Sequence, residues 1–260
     1  MNLKAGLILA IFICGLILAG MILPIDYNAM DSQNRFLPPG FSHFCGTDNF
    51  GRDVFFRIMA GGRYTLLTAI LVVAGSAAIG SILGMLAGSM GGIWDEITMR
   101  LMDALSSFPG ILLALATVAL LDTGTLAIAL LILFIPSYTR IIRSGTLQYR
   151  SKDFVLAARI IGASRGRILI AHILPNLFPS LLSASVLGLS NAILAESTMS
   201  YLGLGIQPPT PSWGRMLAES QGFLFNAPWC ALAPGLAIML SVLAFHYMGE
   251  GLRLWKNPIG

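Results

Sequence analysis

The ionisable side chains, which are the groups that could do chemistry in this chain, are few and scattered. The three histidines, His43, His172 and His246, lie far apart, and no cysteine or histidine pair has the spacing of metal ligands. No Gly-x-x-x-x-Gly-Lys-Ser/Thr phosphate loop occurs, which excludes ATP hydrolysis by that route. Glu196, followed by Ser197, is the one acid well inside an apolar segment, and it favours either a polar path or a hydrogen-bonded contact between helices. The sequence therefore predicts no catalytic residue, no metal site and no cofactor bound by this chain.

The composition places the chain in a membrane. Charged residues make up 11% of its 260 residues and hydrophobic residues 56%, whereas a typical soluble chain is about a quarter charged. Disorder is excluded because it needs low hydrophobicity and high charge, and three cysteines are too few for a disulfide scaffold. The fold class that remains is an all-α polytopic membrane protein.

Long segments without charged residues locate the predicted spans, because a bilayer core about 30 Å thick needs roughly 20 apolar residues in a helix. Six such segments occur: 5–25, 64–94, 104–121, 123–139, 168–195 and 220–249. Only Asp122 separates the third from the fourth, which predicts a tight helical hairpin. A cleaved signal peptide at 5–25 fits less well than a retained helix, because the apolar run is longer than the roughly 7 to 15 residues of such peptides.

The basic residues set the predicted orientation. The net charge of +4 would suggest nucleic acid in a soluble protein, but basic residues in a membrane chain mark the cytoplasmic loops, and no nucleic-acid partner is expected. Most of the 16 lysines and arginines fall on one side if both termini are cytoplasmic, with the densest run from Arg140 to Arg167. We therefore expect a multi-pass protein of the cytoplasmic membrane, surrounded by lipid, with a large cytoplasmic loop at 140–178.

The external segment between the first two predicted spans is too long for a bare connector. A helix is predicted to start at Thr47 or Asp48. Its apolar face would hold Val54, Phe55, Ile58 and Met59, and its polar face Arg52, Asp53 and Arg57. Such a helix favours an anchor at the membrane surface or a frame for the mouth of a translocation path. The chain is accordingly divided into 1–63, the first span with its external loop, and 64–260, a core of five spans.

The same segment carries a first family resemblance. It resembles the entry loop of the dipeptide, oligopeptide and nickel permease family of ABC importers, whose pattern is Gly-Thr-Asp, two variable residues, Gly-Arg-Asp, then Arg and Gly-x-Arg. The matching residues are Gly46, Thr47, Asp48, Gly51, Arg52, Asp53, Arg57 and the run 61–63. Phe56 departs from the serine that is common before that arginine.

The cytoplasmic loop has the pattern of a docking element. A helix is predicted at 154–161, ended by Gly162, and a second short helix at 163–171. Pro175 is expected to bend the chain into the fifth span. Small and apolar residues on such a helix favour insertion into a groove of a soluble protein. The alternative is an interfacial or re-entrant helix without a partner.

This loop resembles the EAA loop of bacterial ABC importer permeases: Glu-Ala-Ala, three residues, Gly, nine residues, then Ile-x-Leu-Pro. Leu156 replaces the glutamate and His172 replaces the isoleucine. The leucine removes a possible salt bridge to the ATPase subunit but leaves the contact between helix and groove. The resemblance implies a coupling helix that docks on the nucleotide-binding subunit through Ala157, Ala158, Gly162, Ala163, Ser164, Arg165, Ile168, Leu174 and Pro175.

A third matching segment, 200–217, follows the fifth span, and the three together cover about a quarter of the chain. The resemblance implies a type I ABC importer permease with six transmembrane helices that carries short peptides, or nickel as the free ion or a chelate. It also implies a second permease subunit, two ATPase subunits that hold ATP and Mg²⁺, and an extracytoplasmic binding protein. Glu196 and Ser197 would then line the path or the interface between the two permeases.

Two alternatives from other classes remain. A self-contained secondary transporter or channel needs intramembrane charges for ion coupling, and only Glu196 qualifies. An intramembrane enzyme needs a pair of catalytic groups within the spans, and no convincing pair occurs. Cys45 and Cys230 both fall on the predicted outer side, but a disulfide between them is not favoured.

Overall fold

A computed structural model describes residues 4, 6–11, 13, 15, 26–121 and 125–256. Within this part of the chain the regular elements are all helical, and the only β pairing is an isolated bridge between Thr47 and Asp53. The all-α class is confirmed. The predicted first span at 5–25 and the hairpin turn at Asp122 lie mostly outside the described residues.

The helices follow one another with short connections. In chain order they are α1 (Val54–Met90), α2 (Gly92–Ser107), α3 (Gly110–Leu121), α4 (Leu126–Tyr149), α5 (Asp153–Ile160), α6 (Arg165–Arg167), a π-helical turn (Ile168–Ile173), α7 (Leu174–Tyr201), α8 (Trp213–Ser220), a 3₁₀ turn (Gln221–Phe223) and α9 (Trp229–Lys256). The amino-terminal residues that are described are helical, and a Cβ placed on Gly6 would lie 2.7 Å from the backbone nitrogen of Met248 in α9.

Four helical segments of the described chain are long and apolar enough to cross a membrane: Val54–Met90, Leu126–Tyr149, Arg165–Tyr201 and Trp229–Leu254. Another pair, Gly92–Ser107 and Gly110–Val118, would make a fifth only as one broken span, bent by 88°. The six-span count therefore stays a prediction. A straight third span at 104–121 is wrong, because Pro109 excludes the helical conformation at Phe108, whose ψ of 137° is extended.

Helices α1 and α4 pack closely against each other. A stripe of glycines in α1, Gly80, Gly84 and Gly88, lets the two backbones approach, and a Cβ on Gly84 would lie 2.6 Å from the carbonyl oxygen of Thr139. Small residues four apart are the usual means of close packing between membrane helices. The central hydrophobic core forms around this pair and includes Ala69, Val72 and Leu130.

The helices around the predicted loop at 140–178 differ from the expectation at two places. The helix that contains the fourth predicted span does not end near Thr139: α4 continues to Tyr149, and Arg143 on this extension forms a bidentate ion pair with Asp95 of α2 whose second hydrogen bond is 2.6 Å. The connection to α5 is therefore shorter than the predicted loop at 140–178. Pro175 also does not interrupt the helix, since Arg165–Tyr201 is one helical segment. A π-helical turn directly before α7 accommodates the missing N–H of that proline.

Candidate functional site

The external motif folds as a tight turn rather than as a helix. The Asp48 carboxylate accepts hydrogen bonds from the backbone N–H groups of Phe50 (2.8 Å) and Arg52 (3.0 Å). Gly51 has a φ of +76°, and a Cβ there would lie 1.8 Å from the carbonyl oxygen of Asp31. Only glycine fits that position. The predicted helix start at Thr47 or Asp48 is wrong because this turn uses those residues, and α1 begins at Val54 with Asp53 as its N-cap.

The two arginines of the motif are buried in one ion cluster. Arg52 Nε donates to Asp48 at 2.7 Å, and Arg57, only 2% exposed, lies 3.3 Å from a Glu219 carboxylate oxygen and 3.8 Å from Asp48. Arg57 also donates to the Asn28 side chain at 3.1 Å. We call Asn28, Asp48, Arg52, Arg57 and Glu219 the outer ion cluster. It joins the external loop, the start of α1 and helix α8.

The predicted polar face of an interfacial helix is therefore wrong. Arg52 and Arg57 do not face solvent or lipid headgroups; they lie under the external loop, because Glu219 from α8 supplies a second carboxylate. The segment is also not a separate helix, since α1 runs from Val54 to Met90 without a break. The cluster fastens the outer end of the chain instead of offering free charges to a passing substrate.

The remaining motif residues support the same turn. The Thr47 hydroxyl donates to the carbonyl of Asn34 at 2.5 Å and accepts from the Leu37 N–H at 2.8 Å. Asp53 caps α1 through the N–H groups of Phe55 and Phe56 and lies 2.7 Å from His43 Nδ1. Gly46 takes a φ of +72°, and a Cβ there would lie 2.5 Å from the carbonyl oxygen of Leu37.

The two described cysteines are free thiols, so no Cys45–Cys230 disulfide is present. Burial, and secondarily the charge of Asp53, raise the pKa of the Cys45 thiol. Near neutral pH this thiol is protonated and a weak nucleophile. Within the described residues no group of acids, histidines and cysteines could hold a metal ion.

The predicted coupling segment folds as two helices around one turn. Helix α5 ends at Ile160, and Gly162, the residue predicted to end it, follows with a φ of +84°. Ser164 caps α6 by accepting from the Arg167 N–H at 3.4 Å. Ala163 links the two helices and packs against the apolar cluster beneath. The predicted second helix at 163–171 is present, but it is continuous with α7 through the π-helical turn.

One face of this segment is fixed to the membrane helices. Val155, Ala158, Ile168 and Ile173 are buried with Ile142 of α4 and Leu177 of α7. Displacement of the segment therefore acts directly on two candidate spans. Of the other predicted coupling residues, Leu174 is half-buried, whereas Ala157, Arg165 and Pro175 are exposed.

The opposite face of the segment is apolar and uncovered. Ile160 and Ile161 at the end of α5 are 87% and 84% exposed, and Phe154 and Leu156 are also exposed. We call Ile160 and Ile161 the loop tip. Two adjacent exposed isoleucines at the end of a helix whose other face is buried favour a contact surface for another protein.

Glu196 is buried inside the chain. It is 2% exposed, and its carboxylate accepts from the hydroxyls of Ser200 at 2.7 Å and Ser197 at 3.5 Å, both on the same helix. This burial argues against a direct contact with a second permease chain. A role for Glu196 and Ser197 in a path stays a prediction.

Three features of these sites were not predicted from the sequence. They are Glu219 of the outer ion cluster, the Asp95–Arg143 pair and the exposed loop tip. Glu219 had a signal, because it is the only acid between Glu196 and the sixth predicted span and the arginines of the external motif needed a partner. The sequence also contains a signal for the loop tip, since two adjacent isoleucines precede the glycine that ends the helix.

Comparison with known proteins agrees with this architecture. The sequence profile of the family described as binding-protein-dependent transport system inner membrane component matches residues 80–252. The dipeptide transport system permease protein DppC of Alkalihalophilus pseudofirmus is 39% identical over 97% of this chain and 84% of its own length. The glutathione transport system permease protein GsiD of Escherichia coli O1:K1 is 42% identical over 99% of this chain and 86% of its own length.

The match with the family covers most of the chain, including the predicted coupling segment, and the match with each relative is nearly full length. This confirms the resemblance that the external motif and the cytoplasmic loop carried. Neither relative's name mentions nickel. The chain therefore belongs to the family of binding-protein-dependent transport system inner membrane components, the permease subunits of ABC importers, and it is a transport subunit and not an enzyme.

Proposed function

We propose that this chain carries short peptides across the cytoplasmic membrane as one of two permease subunits of an importer. The cargo class rests on the relatives named for dipeptide and glutathione transport. Nickel, free or chelated, remains the alternative cargo from the sequence resemblance. Both termini are cytoplasmic in this proposal, as the distribution of basic residues predicts.

The observation that carries the mechanism is the loop tip. Ile160 and Ile161 protrude into solvent, while Val155, Ala158 and Ile168 in the same segment are buried against the membrane helices. A groove on an ATPase subunit would cover the tip. Closure of two ATPase subunits on ATP and Mg²⁺ would then move the segment, and with it α4 and α7, between inward and outward openings.

The external side would receive cargo from an extracytoplasmic binding protein. The outer ion cluster supports this role, because it holds the external loop, α1 and α8 together as one surface. A preformed surface loses little entropy on docking, which favours binding of a carrier protein.

The substitution of both tip isoleucines tests the coupling mechanism. In an importer assembled from this chain, its partner permease, the ATPase subunits and the binding protein, Ile160→Asp/Ile161→Asp should abolish stimulation of ATP hydrolysis by loaded binding protein. Two carboxylates cannot enter an apolar groove without losing their hydration. Stimulated hydrolysis and retention of the ATPase subunits in detergent are the measurements.

The matched control is Ile160→Val/Ile161→Val, which keeps the tip apolar and should retain most of the stimulation. Because both side chains are exposed, neither variant should change the amount of protein in the membrane. Full stimulation in the aspartate variant would contradict the proposed coupling.

A further inference from the structure

A cleft of about 610 Å³ opens beside the loop tip, between the cytoplasmic end of α1 and the segment from α4 to the π-helical turn. Its apolar side is formed by Leu156, Ile168, Leu169 and Ile173. Several of these residues also anchor the loop to the spans, so the cleft belongs to the fixed part of the loop.

Three arginines line this cleft: Arg150, Arg159 and Arg165. Arg150 donates to the carbonyl oxygen of Gly88 at 3.1 Å, so a neutral partner holds its guanidinium at the wall. Arg159 and Arg165 form no ion pair or hydrogen bond within the described residues, and no carboxylate from that part of the chain lines the cleft. The cleft therefore has an apolar floor and an uncompensated positive rim.

Leu156 leaves this charge uncompensated. It lines the cleft and is 44% exposed, at the position where the EAA loop pattern has a glutamate. A glutamate there would place a carboxylate beside Arg159 and Arg165 and neutralise part of the rim. With leucine, any protein that covers the loop removes water from these arginines without a countercharge from this chain, which is strongly unfavourable unless the partner supplies one.

We propose that an acidic side chain of the ATPase subunit enters this cleft and pairs with Arg159 and Arg165, the two arginines of the rim that have no partner within the described residues. The inference rests on the proposed function, because it assumes that the ATPase docks on this loop. It adds the chemistry of the partner: an apolar groove for the loop tip, with one or more carboxylates at the edge that faces α5 and α6. Bidentate pairing of a carboxylate with arginine would fix the register of docking.

The test uses the assembled importer and measures the affinity of the ATPase subunits for the permease pair at increasing ionic strength. Arg159→Ala/Arg165→Ala should weaken this affinity roughly tenfold or more and flatten its salt dependence, because a desolvated charge pair is lost. Arg167→Ala is the matched control: it removes an exposed arginine of α6 that does not line the cleft, and it should change neither quantity.

A second pair of variants separates charge from shape. Leu156→Glu should weaken the affinity, because its carboxylate pairs with the same arginines and competes with the partner. Leu156→Gln introduces a side chain of the same size as glutamate but without charge, and it should keep the affinity near the original value.

A cross-linking experiment identifies the partner residue. With Arg159→Lys, a carbodiimide should join the lysine to an aspartate or glutamate of the ATPase subunit, which peptide mass spectrometry identifies.

Unchanged affinity and salt dependence in Arg159→Ala/Arg165→Ala would overturn the proposal. The proposal would also fail if the same variant kept its affinity for the ATPase subunits but lost activity only in nanodiscs that contain phosphatidylglycerol. An anionic lipid would then occupy the cleft. If the unmodified permease pair binds no ATPase subunit, the proposed function itself fails together with this inference. If the ATPase subunits bind the permease pair normally and substitution of Arg159 and Arg165 has no effect on this binding, only this inference fails.

Discussion

Gly84→Ala should destabilise the protein by about 1–3 kcal/mol, although it adds only one methyl group. The new Cβ would lie 2.6 Å from the Thr139 carbonyl oxygen and 2.9 Å from the Arg143 backbone nitrogen. Both atoms belong to the backbone of α4, so the helix axes must separate. The contacts of α1 with α4 would then weaken along the whole glycine stripe. Thermal unfolding of the purified protein in detergent measures the effect.

Gly235→Ala is the matched control for this prediction. It adds the same methyl group inside α9, another membrane helix, where the nearest heavy atom is a Leu217 methyl carbon at 3.9 Å. That distance is ordinary van der Waals contact, and alanine favours a helix over glycine. We expect no loss of stability. Equal destabilisation by the two substitutions would show that the close packing of α1 on α4 is not the cause.

Arg57→Met should lower the free energy of unfolding by about 3 kcal/mol, the scale expected when one partner of a buried ion pair is removed. The substitution leaves Glu219 with weaker contacts to Arg52 (3.5 Å) and Arg215 (3.4 Å), and it leaves the Asn28 side chain without its arginine donor. The outer ends of α1 and α8 should separate from the external loop. Thermal unfolding and limited proteolysis of the external loop are the measurements.

Arg100→Met provides the comparison, because Arg100 and Glu96 form an exposed pair at 3.6 Å on α2. Exposed pairs contribute about 0–1 kcal/mol, so little change is expected. If Arg57→Met costs no more than Arg100→Met, the outer ion cluster does not hold the external loop. A double variant, Arg57→Met with Glu219→Gln, should lose less than the sum of the single effects, because the two residues share one interaction.

The sequence was sufficient for the class of the protein and for the end of helix α5 at Gly162. Low charge and long apolar runs identify a membrane protein because the bilayer imposes that composition. The turn at Gly162 was predictable for a local reason, since a glycine that ends an apolar helical stretch favours a positive φ.

The errors come from long-range interactions. A helix was predicted through Asp48 because a local cap pattern is equally compatible with a turn, and the turn is stabilised by Asp31 and Leu37, which are distant in sequence. The burial of Arg57 depends on Glu219 in α8, a contact that no local pattern contains. The absence of charged residues was used to locate membrane spans and does not predict where a helix ends: α4 continues beyond Thr139, and Arg143 on this extension pairs with Asp95 of α2.

The bend between α2 and α3 was missed for a different reason. Hydropathy alone cannot distinguish a straight span from a broken one, and the prediction at 104–121 did not use Pro109. The close packing of α1 on α4 was likewise not predicted, because hydropathy treats the glycines of α1 as part of an apolar run. Their spacing of four residues is nevertheless a packing signal.

The most direct test of the account is uptake of a labelled dipeptide into proteoliposomes. The account predicts uptake only when this chain is reconstituted with its partner permease, ATPase subunits supplied with ATP and Mg²⁺, and loaded binding protein. Uptake should stop when the loop tip carries Ile160→Asp/Ile161→Asp. Uptake by this chain alone, driven by an ion gradient without ATP, would contradict the account and identify a self-contained secondary transporter.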